Sequence, residues 1–330
     1  MTRYARQLCL PNVGNPGQEA IHAAHVLVIG VGGLGAPVLQ YLVGAGVGRL
    51  TLVDDDKVVL SNLHRQTLFR EASVGKSKAS TAAETLRGLN KDCVIETIEA
   101  ALDPSNAQVL VRQSTLVLDC ADNFAVSYIL SDTCKIAGIP LISASALGFA
   151  GYVGGFCGTA PSLRAVFPDL PDRAASCLTA GVMGPIVGMI GAAQAQMALG
   201  YLIGQSPSPL GQLISFDMET FRIGGFRFDT APEAKLDLSF ISVADITSSD
   251  FVVELRDTNE TFYAVTTNAW RFSVARFASQ EPIPLPGQRA VFACRSGLRA
   301  WQAATHLRSY WDGEISLIAM GDLQSNHKQT

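Results

Sequence analysis

His25-Val26-Leu27-Val28-Ile29-Gly30-Val31-Gly32-Gly33-Leu34-Gly35 is the stretch on which the fold turns. Its apolar run lacks the alternation of a half-exposed strand, so it reads as a strand buried on both faces. It passes directly into Gly30–Gly35, which fits G-x-G-x-x-G, and a helix pattern follows from about Ala36 to Gly46. Glycines there allow a tight turn and let a phosphate approach the free amides of the helix N-terminus. The next strand, Arg49–Asp54, ends in a carboxylate placed to accept bonds from ribose hydroxyls. Gly30, Gly32, Gly33, Gly35 and Asp54 are therefore the expected nucleotide contacts. They do not separate NAD from ATP, and taken alone they suggest an NAD(P)-dependent oxidoreductase.

Outward from this unit the two periods keep alternating. Ser77–Asn90 carries Ala79, Ala82, Ala83, Leu86 and Leu89 on one helix face. Val94–Ile98, Thr115–Cys120 and Pro140–Ala144 read as strands, and Pro104–Arg112 and Phe124–Ala137 as helices. Repeated β-α-β units predict an α/β fold, a doubly wound, Rossmann-like, mostly parallel sheet. Leu178–Gly204 is uncharged and long enough to span a bilayer. It carries Pro185, Gln194, Gln196 and six glycines without basic flanks or an aromatic belt, which favours a buried Gly/Ala-rich helix. Residues 205–212 read as a polar loop.

The chain has 330 residues, which favours two domains. Composition shifts after Phe228. The expected layout is residues 1–228 as a nucleotide-binding domain, 229–237 as a linker, 238–322 as a second α/β domain and 323–330 as a tail. With 48% hydrophobic and 16% charged residues the chain is neither disordered nor solvating. A net charge of −4 argues against broad affinity for nucleic acid or an anionic membrane. The seven cysteines include no C-x-x-C pair, and the start, MTRYARQLCL, lacks a signal peptide's apolar core. A cytoplasmic location is expected.

The segment after the ribose-binding strand, DDDKVVLSNLHRQ (54–66), shifts the balance. Hydride transfer needs no cations there. Chemistry on a triphosphate does: Arg65 and Lys78 are placed to offset charge as pyrophosphate leaves. Asp122, just after the strand LVLDC, lies at the carboxyl edge where such folds bind ligands, and a hard carboxylate suits Mg²⁺. Asp56, Asn62, Gln66 and Asn123 complete the expected set. A third reading is a non-catalytic scaffold on a decayed adenylation fold.

RYARQ (3–7), GVGGLG (30–35), YLVGAGVGRLTLVDDDKVVLSNLHRQ (41–66), VGKSK (74–78), LVLDCADN (116–123) and CLTAGVMGP (177–185) recur in the order of the ThiF/MoeB/HesA family, which the chain resembles over about residues 3–228. These proteins are relatives of ubiquitin-activating enzymes. The resemblance implies ATP-dependent adenylylation of the C-terminal Gly-Gly carboxylate of a ubiquitin-like sulfur carrier, with release of pyrophosphate. It implies that Gly33 and Asp54 contact the nucleotide. Asn62, Arg65, Gln66 and Lys78 would surround its phosphates, and Asp122 would serve Mg²⁺. Arg6 would reach the site of the second subunit of a homodimer. Lys76 reads as solvated and His64 as a neighbour of the site.

Family members usually carry two C-x-x-C pairs for structural zinc. Ser162 and Ala165 stand at the first pair's positions, and no cysteine falls near 229–237, so zinc is not expected. Cys177 stands where relatives have a cysteine that can bond to the carrier; a small core residue is the bland alternative. Cys294-Arg295-Ser296-Gly297-Leu298-Arg299, between an apolar strand and a helix, resembles the active-site loop of rhodanese-like sulfurtransferases. Loop amides, helix dipole and arginines would favour a thiolate or persulfide on Cys294. Sulfur would come from a persulfide donor such as a cysteine desulfurase and yield a thiocarboxylate. The match is short and lacks signatures in its middle, so a degenerate domain stays open.

Overall fold

The computed structural model describes residues 3–170, 181–234 and 238–321. An eight-stranded sheet is built from β1 (His25–Ile29), β2 (Arg49–Val53), β3 (Val94–Ile98), β4 (Leu116–Asp119), β5 (Pro140–Leu147), β6 (Ala150–Cys157), β7 (Gln212–Asp217) and β8 (Arg222–Arg227), in spatial order 3-2-1-4-5-6-7-8. β1 to β5 pair in parallel, Val28 standing between Leu52 of β2 and Leu118 of β4. β6, β7 and β8 extend the sheet antiparallel. The central strands are buried on both faces, as their unbroken apolar runs require.

The first long helix, Gly35–Ala45, begins in the glycine turn and stops at Gly46, which takes a φ of +91°. The helix Lys78–Leu89 is capped by the Ser77 side chain, which accepts from the Ser80 amide. The uncharged stretch forms the helix Gly184–Leu202, started by Pro185. It lies on the sheet beside Gly35–Ala45: a Cβ at Gly191 would meet Pro37 Cγ at 2.5 Å and the Leu34 carbonyl at 2.7 Å. Among the described residues no helix is long and apolar enough to cross a membrane.

The sequence reading missed the antiparallel half. β6 is rich in glycine, and β8 is an edge strand exposed along its whole length, so neither shows an alternating pattern. β5 also runs three residues past the expected end, to Leu147.

A second, parallel sheet follows: β9 (Ser239–Phe240), β10 (Phe251–Glu254), β11 (Trp270–Arg271), β12 (Ala290–Cys294) and β13 (Ile315–Ala319), in order 11-10-12-13-9. Its main helix is Leu298–Arg308. The two sheets share a buried seam. Leu27, Val117 and Tyr128 of the first unit fall in one continuous apolar cluster with Phe240, Phe292 and Trp301 of the second. Arg164, itself buried, pairs in bidentate fashion with Asp132 and donates to the Leu238 carbonyl at 3.0 Å. Its guanidinium lies 4.7 Å from the Tyr128 ring centroid and 5.4 Å from that of Trp301. The segment expected as a linker, 229–237, is tied down where it is described: Glu233 accepts from Ser162 and bridges to Lys135, and Phe228, just before it, stacks on Phe156.

Candidate active site

From β1 the chain moves to β2 and β3, then returns to β4 on the other side of β1. The loops leaving β1 and β4 therefore diverge, opening a crevice at the carboxyl edge of the sheet. The glycine turn fills one wall. Gly30 has a φ of +89°, and a Cβ there would strike the Cys120 carbonyl at 2.7 Å; one at Gly35 would strike the Gly30 carbonyl. These two glycines let the β1 turn close on itself and on the β4 loop. A Cβ at Gly33 would meet Val187 Cγ1 at 2.7 Å and Arg65 Cγ at 3.5 Å, while one at Gly32 would meet Gln66 Nε2 at 3.4 Å. The turn and the cation-bearing segment thus fold onto each other.

Asp54 accepts from the Val31 amide at 2.7 Å and the Asp56 amide at 2.9 Å, which locks the β2 end to the glycine turn. Burial pushes its carboxyl up, with the Lys78 ammonium and those two amides pulling it back. Lys78 is the sharpest feature. Its side chain is only 7% exposed, yet Asp56, with which it pairs at 2.7 Å, is 69% exposed. A nearly buried ammonium with a solvated counter-ion keeps unspent positive potential for an anionic ligand. Arg65 donates to the Ser61 carbonyl at 3.3 Å and lies 2.9 Å from His64 Nε2, so His64 is the neighbour expected of it. Asn62 is half-buried, and its carbonyl receives the Arg65 and Gln66 amides. Gln66 is buried and its Oε1 has no hydrogen-bond partner. Such an orphan calls for a ligand, and half a turn of the amide offers NH₂ groups instead.

At the β4 wall Asp122 is exposed in the loop, while Asn123 caps the helix Phe124–Ala137 by accepting from the Ala125 amide at 2.9 Å. Asn123, expected among the nucleotide contacts, thus spends its Oδ1 on the helix start. Asp119, which the sequence reading did not single out, is fully buried beneath this loop. It accepts from Ser143 Oγ at 2.7 Å and the Ala121 amide at 3.2 Å. Burial raises its carboxyl to about 6, and the Ser127 and Ser143 hydroxyls and the Ala121 amide hold it from rising further. An acid closing an otherwise apolar strand was the available signal, the same one that marks Asp54.

Other expected residues lie elsewhere. Arg6 is exposed on the short helix Ala5–Leu8. Its neighbour Tyr4 packs at Gly46 and accepts from Asn90, the far ends of the two helices that start at the cradle. At 1.5 Å rise per residue that is about 15 Å from the glycine turn, so Arg6 does not enter its own chain's cradle. Cys177 lies outside the described residues. Ser162 uses its amide and hydroxyl on Glu233 and Ala165 carries no donor atom, so this pair offers zinc neither thiolate nor imidazole. Among the described residues no group of three or more His, Cys, Asp or Glu is placed to hold a metal ion.

Cys294 sits at the carboxyl end of β12 with 0% exposure. The Ala300 amide donates to its Sγ at 3.3 Å. The Gly297 and Arg299 amides and the Arg299 charge favour the thiolate as the loop resemblance implies, but burial outweighs them and the thiol is pushed up. The expected bias toward thiolate is therefore reversed in this closed arrangement. Arg299 is committed to Glu260 in a bidentate pair, and a Cβ at Gly297 would meet Phe240 at 2.9 Å and Ala125 at 3.1 Å.

The model of the ThiF family matches residues 4–237. Adenylyltransferase and sulfurtransferase MOCS3 of Xenopus laevis is 44% identical over 218 residues, 65% of this chain and 48% of that protein. The chain thus spans about half the length of the MOCS3 proteins it matches. SAMP-activating enzyme E1 of Haloferax volcanii is 37% identical over 235 residues, 71% of this chain and 87% of that protein. Among solved structures, E. coli MccB with ATP superimposes with a TM-score of 0.62 at 20% identity, covering 72% of this chain and 74% of that one, a likeness of fold.

Proposed function

The chain belongs to the ThiF family, and on that premise we propose that it is an adenylyltransferase that uses ATP to activate the C-terminal Gly-Gly carboxylate of a ubiquitin-like sulfur carrier. One observation carries the reading most: Arg65 packs on the glycine turn, and the nearly buried Lys78 lies in the field of Asp54, whose carboxylate takes the Val31 amide of that turn. A dinucleotide cradle has no use for two such cations, whereas a triphosphate does.

In this reading the carrier's carboxylate oxygen attacks the α-phosphorus, the bond to the bridging oxygen breaks, and pyrophosphate leaves with that electron pair. Gly32 and Gly33 admit the phosphates to the turn, Asp54 takes the ribose hydroxyls, and Gln66 lends its unpaired amide end. Arg65 and Lys78 offset the negative charge that grows on the departing oxygens. Asp122 supplies a hard, solvent-facing carboxylate suited to Mg²⁺, which when bound would neutralise phosphate charge. Arg6, held away from its own cradle, would serve the site of a homodimer partner. Cys294 would carry sulfur as a persulfide taken by exchange from a donor such as a cysteine desulfurase, once its loop opens. Its outer sulfur would attack the acyl-adenylate and displace AMP, leaving an acyl disulfide, and a second thiol attacking the Cys294 sulfur would release the thiocarboxylate and leave a disulfide. The second sheet would then be a rhodanese-like domain.

The test is incubation of the full chain with Mg-ATP and a panel of carriers, read by intact-mass spectrometry. The reading expects a carrier heavier by one adenylyl group. No adenylylated carrier, together with saturable NAD binding, would favour the oxidoreductase instead.

A further inference from the structure

Asp119 occupies a place where packing alone favours hydrocarbon. The other residues of β4, Leu116, Val117 and Leu118, are apolar and fully buried. A buried carboxylate is costly unless it is paired, and an apolar residue at such a place is often neutral or stabilising. Its hydrogen-bond partners are hydroxyls and an amide: Ser143, Ser127 and Ala121. The charged or titratable groups in its field are Asp122, which raises it, and Cys120, Cys134 and Tyr152, which it raises in turn. Nothing here repays burial by ion pairing.

What the carboxylate does hold is the turn above it. Its Oδ1 takes the amide of Ala121, the residue before Asp122. The backbone on either side is pinned as well. Gln194, fully buried, donates to the Asp119 carbonyl at 2.8 Å and the Ile142 carbonyl at 3.0 Å, and its Oε1 receives the Cys120 thiol. The Cys120 carbonyl is itself closed against Gly30. Asp122 is left exposed at the end of a fixed arm.

We propose that Asp119 is a positioning residue that acts through the Ala121 amide to present Asp122 at the mouth of the cradle, so that metal-loaded nucleotide binds more tightly than metal-free nucleotide. This rests on the reading of the crevice as a Mg-ATP site. The experiment compares equilibrium affinities for Mg-ATP and for metal-free AMP. Asp119→Val removes the acceptor while suiting a strand. It is expected to weaken Mg-ATP binding by about 10- to 100-fold, the usual effect of losing a group that orients a metal ligand, with AMP affinity held within about 2-fold. Asp119→Asn keeps an acceptor for Ala121 and a partner for Ser143, and is expected to recover to within about 3-fold of wild type. If Asp119→Val fails to fold, Ser143→Ala decides, with a loss of about 3-fold or more confined to Mg-ATP. Unchanged Mg-ATP affinity, or equal losses for Mg-ATP and AMP, overturns the proposal. Wild-type protein that binds AMP but shows no metal-dependent gain with ATP overturns the Mg-ATP reading itself.

Discussion

The two sheets end in closely analogous turns that are used in opposite ways. β1 runs through Gly30–Gly35 into a helix, and β12 runs through Cys294–Arg299 into another. At the first turn, a nearly buried lysine keeps a solvated counter-ion, a buried amide oxygen has no partner, and a carboxylate is left exposed. At the second, Arg299 is spent on Glu260, Gly297 is filled by Phe240 and Ala125, and the thiol is sealed. Open valence marks the first as ready for ligand. The second is satisfied internally, and any chemistry at Cys294 requires the turn to be uncovered. One of the two residues packed on Gly297, Ala125, comes from across the seam, so the first sheet's unit bears on the accessibility of the second's turn.

The seam is where this contrast breaks most severely. Arg164→Ala strands Asp132 without its cation and removes the contacts to Tyr128, Trp301 and the Leu238 carbonyl. A loss of about 3 to 5 kcal/mol is expected, the usual result of breaking a buried pair. Chemical denaturation checks it, and alkylation of Cys294 should speed up in the same variant.

Removing Arg65 tests the open turn. Arg65→Ala is expected to slow carrier adenylylation by about 10²-fold, which corresponds to about 2.7 kcal/mol of transition-state stabilisation. Lys78→Met should behave alike in single-turnover assays.

The sealed turn gives a smaller, pH-dependent effect. Burial raises the Cys294 thiol above its usual 9.0, so its alkylation in the intact chain is expected to rise with a midpoint above that value. A midpoint below neutrality would make the turn an active thiolate site. Cys294→Ser should leave adenylate formation within about 2-fold, because the group lies outside the cradle.

The weakest effect concerns the Arg299–Glu260 pair, which is a third exposed on each side. Arg299 lowers the Glu260 carboxyl from 4.5 to about 2. A lowered folded-state value stabilises above pH 4.5, and that contribution is lost as pH falls from 4.5 toward 2. Solvent screening keeps it to about 1 kcal/mol or less. Glu260→Gln should flatten that part of the acid-denaturation curve and leave stability near neutrality almost unchanged.

The readable parts of this molecule were those fixed by local rules. Five of the expected strands and the glycine turn follow from apolar runs and from glycines that sterics demand, and Asp54 ends a strand in plain view. The helix Gly184–Leu202 was legible because its glycines and internal glutamines fit close packing better than lipid. Asp119 was legible only as an acid closing an apolar strand; its burial was not, because such an acid looks the same whether solvent or Ser143 and Gln194 lie beside it. Nor was the state of Cys294, since the loop's own residues favour a thiolate while its burial opposes it, and that burial depends on packing such as that of Phe240, from a distant strand, and Ala125, from the other sheet's unit, against Gly297. Arg6 was picked out by its motif alone; the short helix that carries it and its distance from the cradle are set by how Tyr4 packs at Gly46.

The central claim is that the open turn exists to break a triphosphate on a protein tail. Exchange of labelled pyrophosphate into ATP measures that step directly. The account expects exchange only with a carrier ending in Gly-Gly, abolished by Arg65→Ala and retained by Cys294→Ser. Absence of exchange with every such carrier, or exchange that Arg65→Ala leaves untouched, would contradict it.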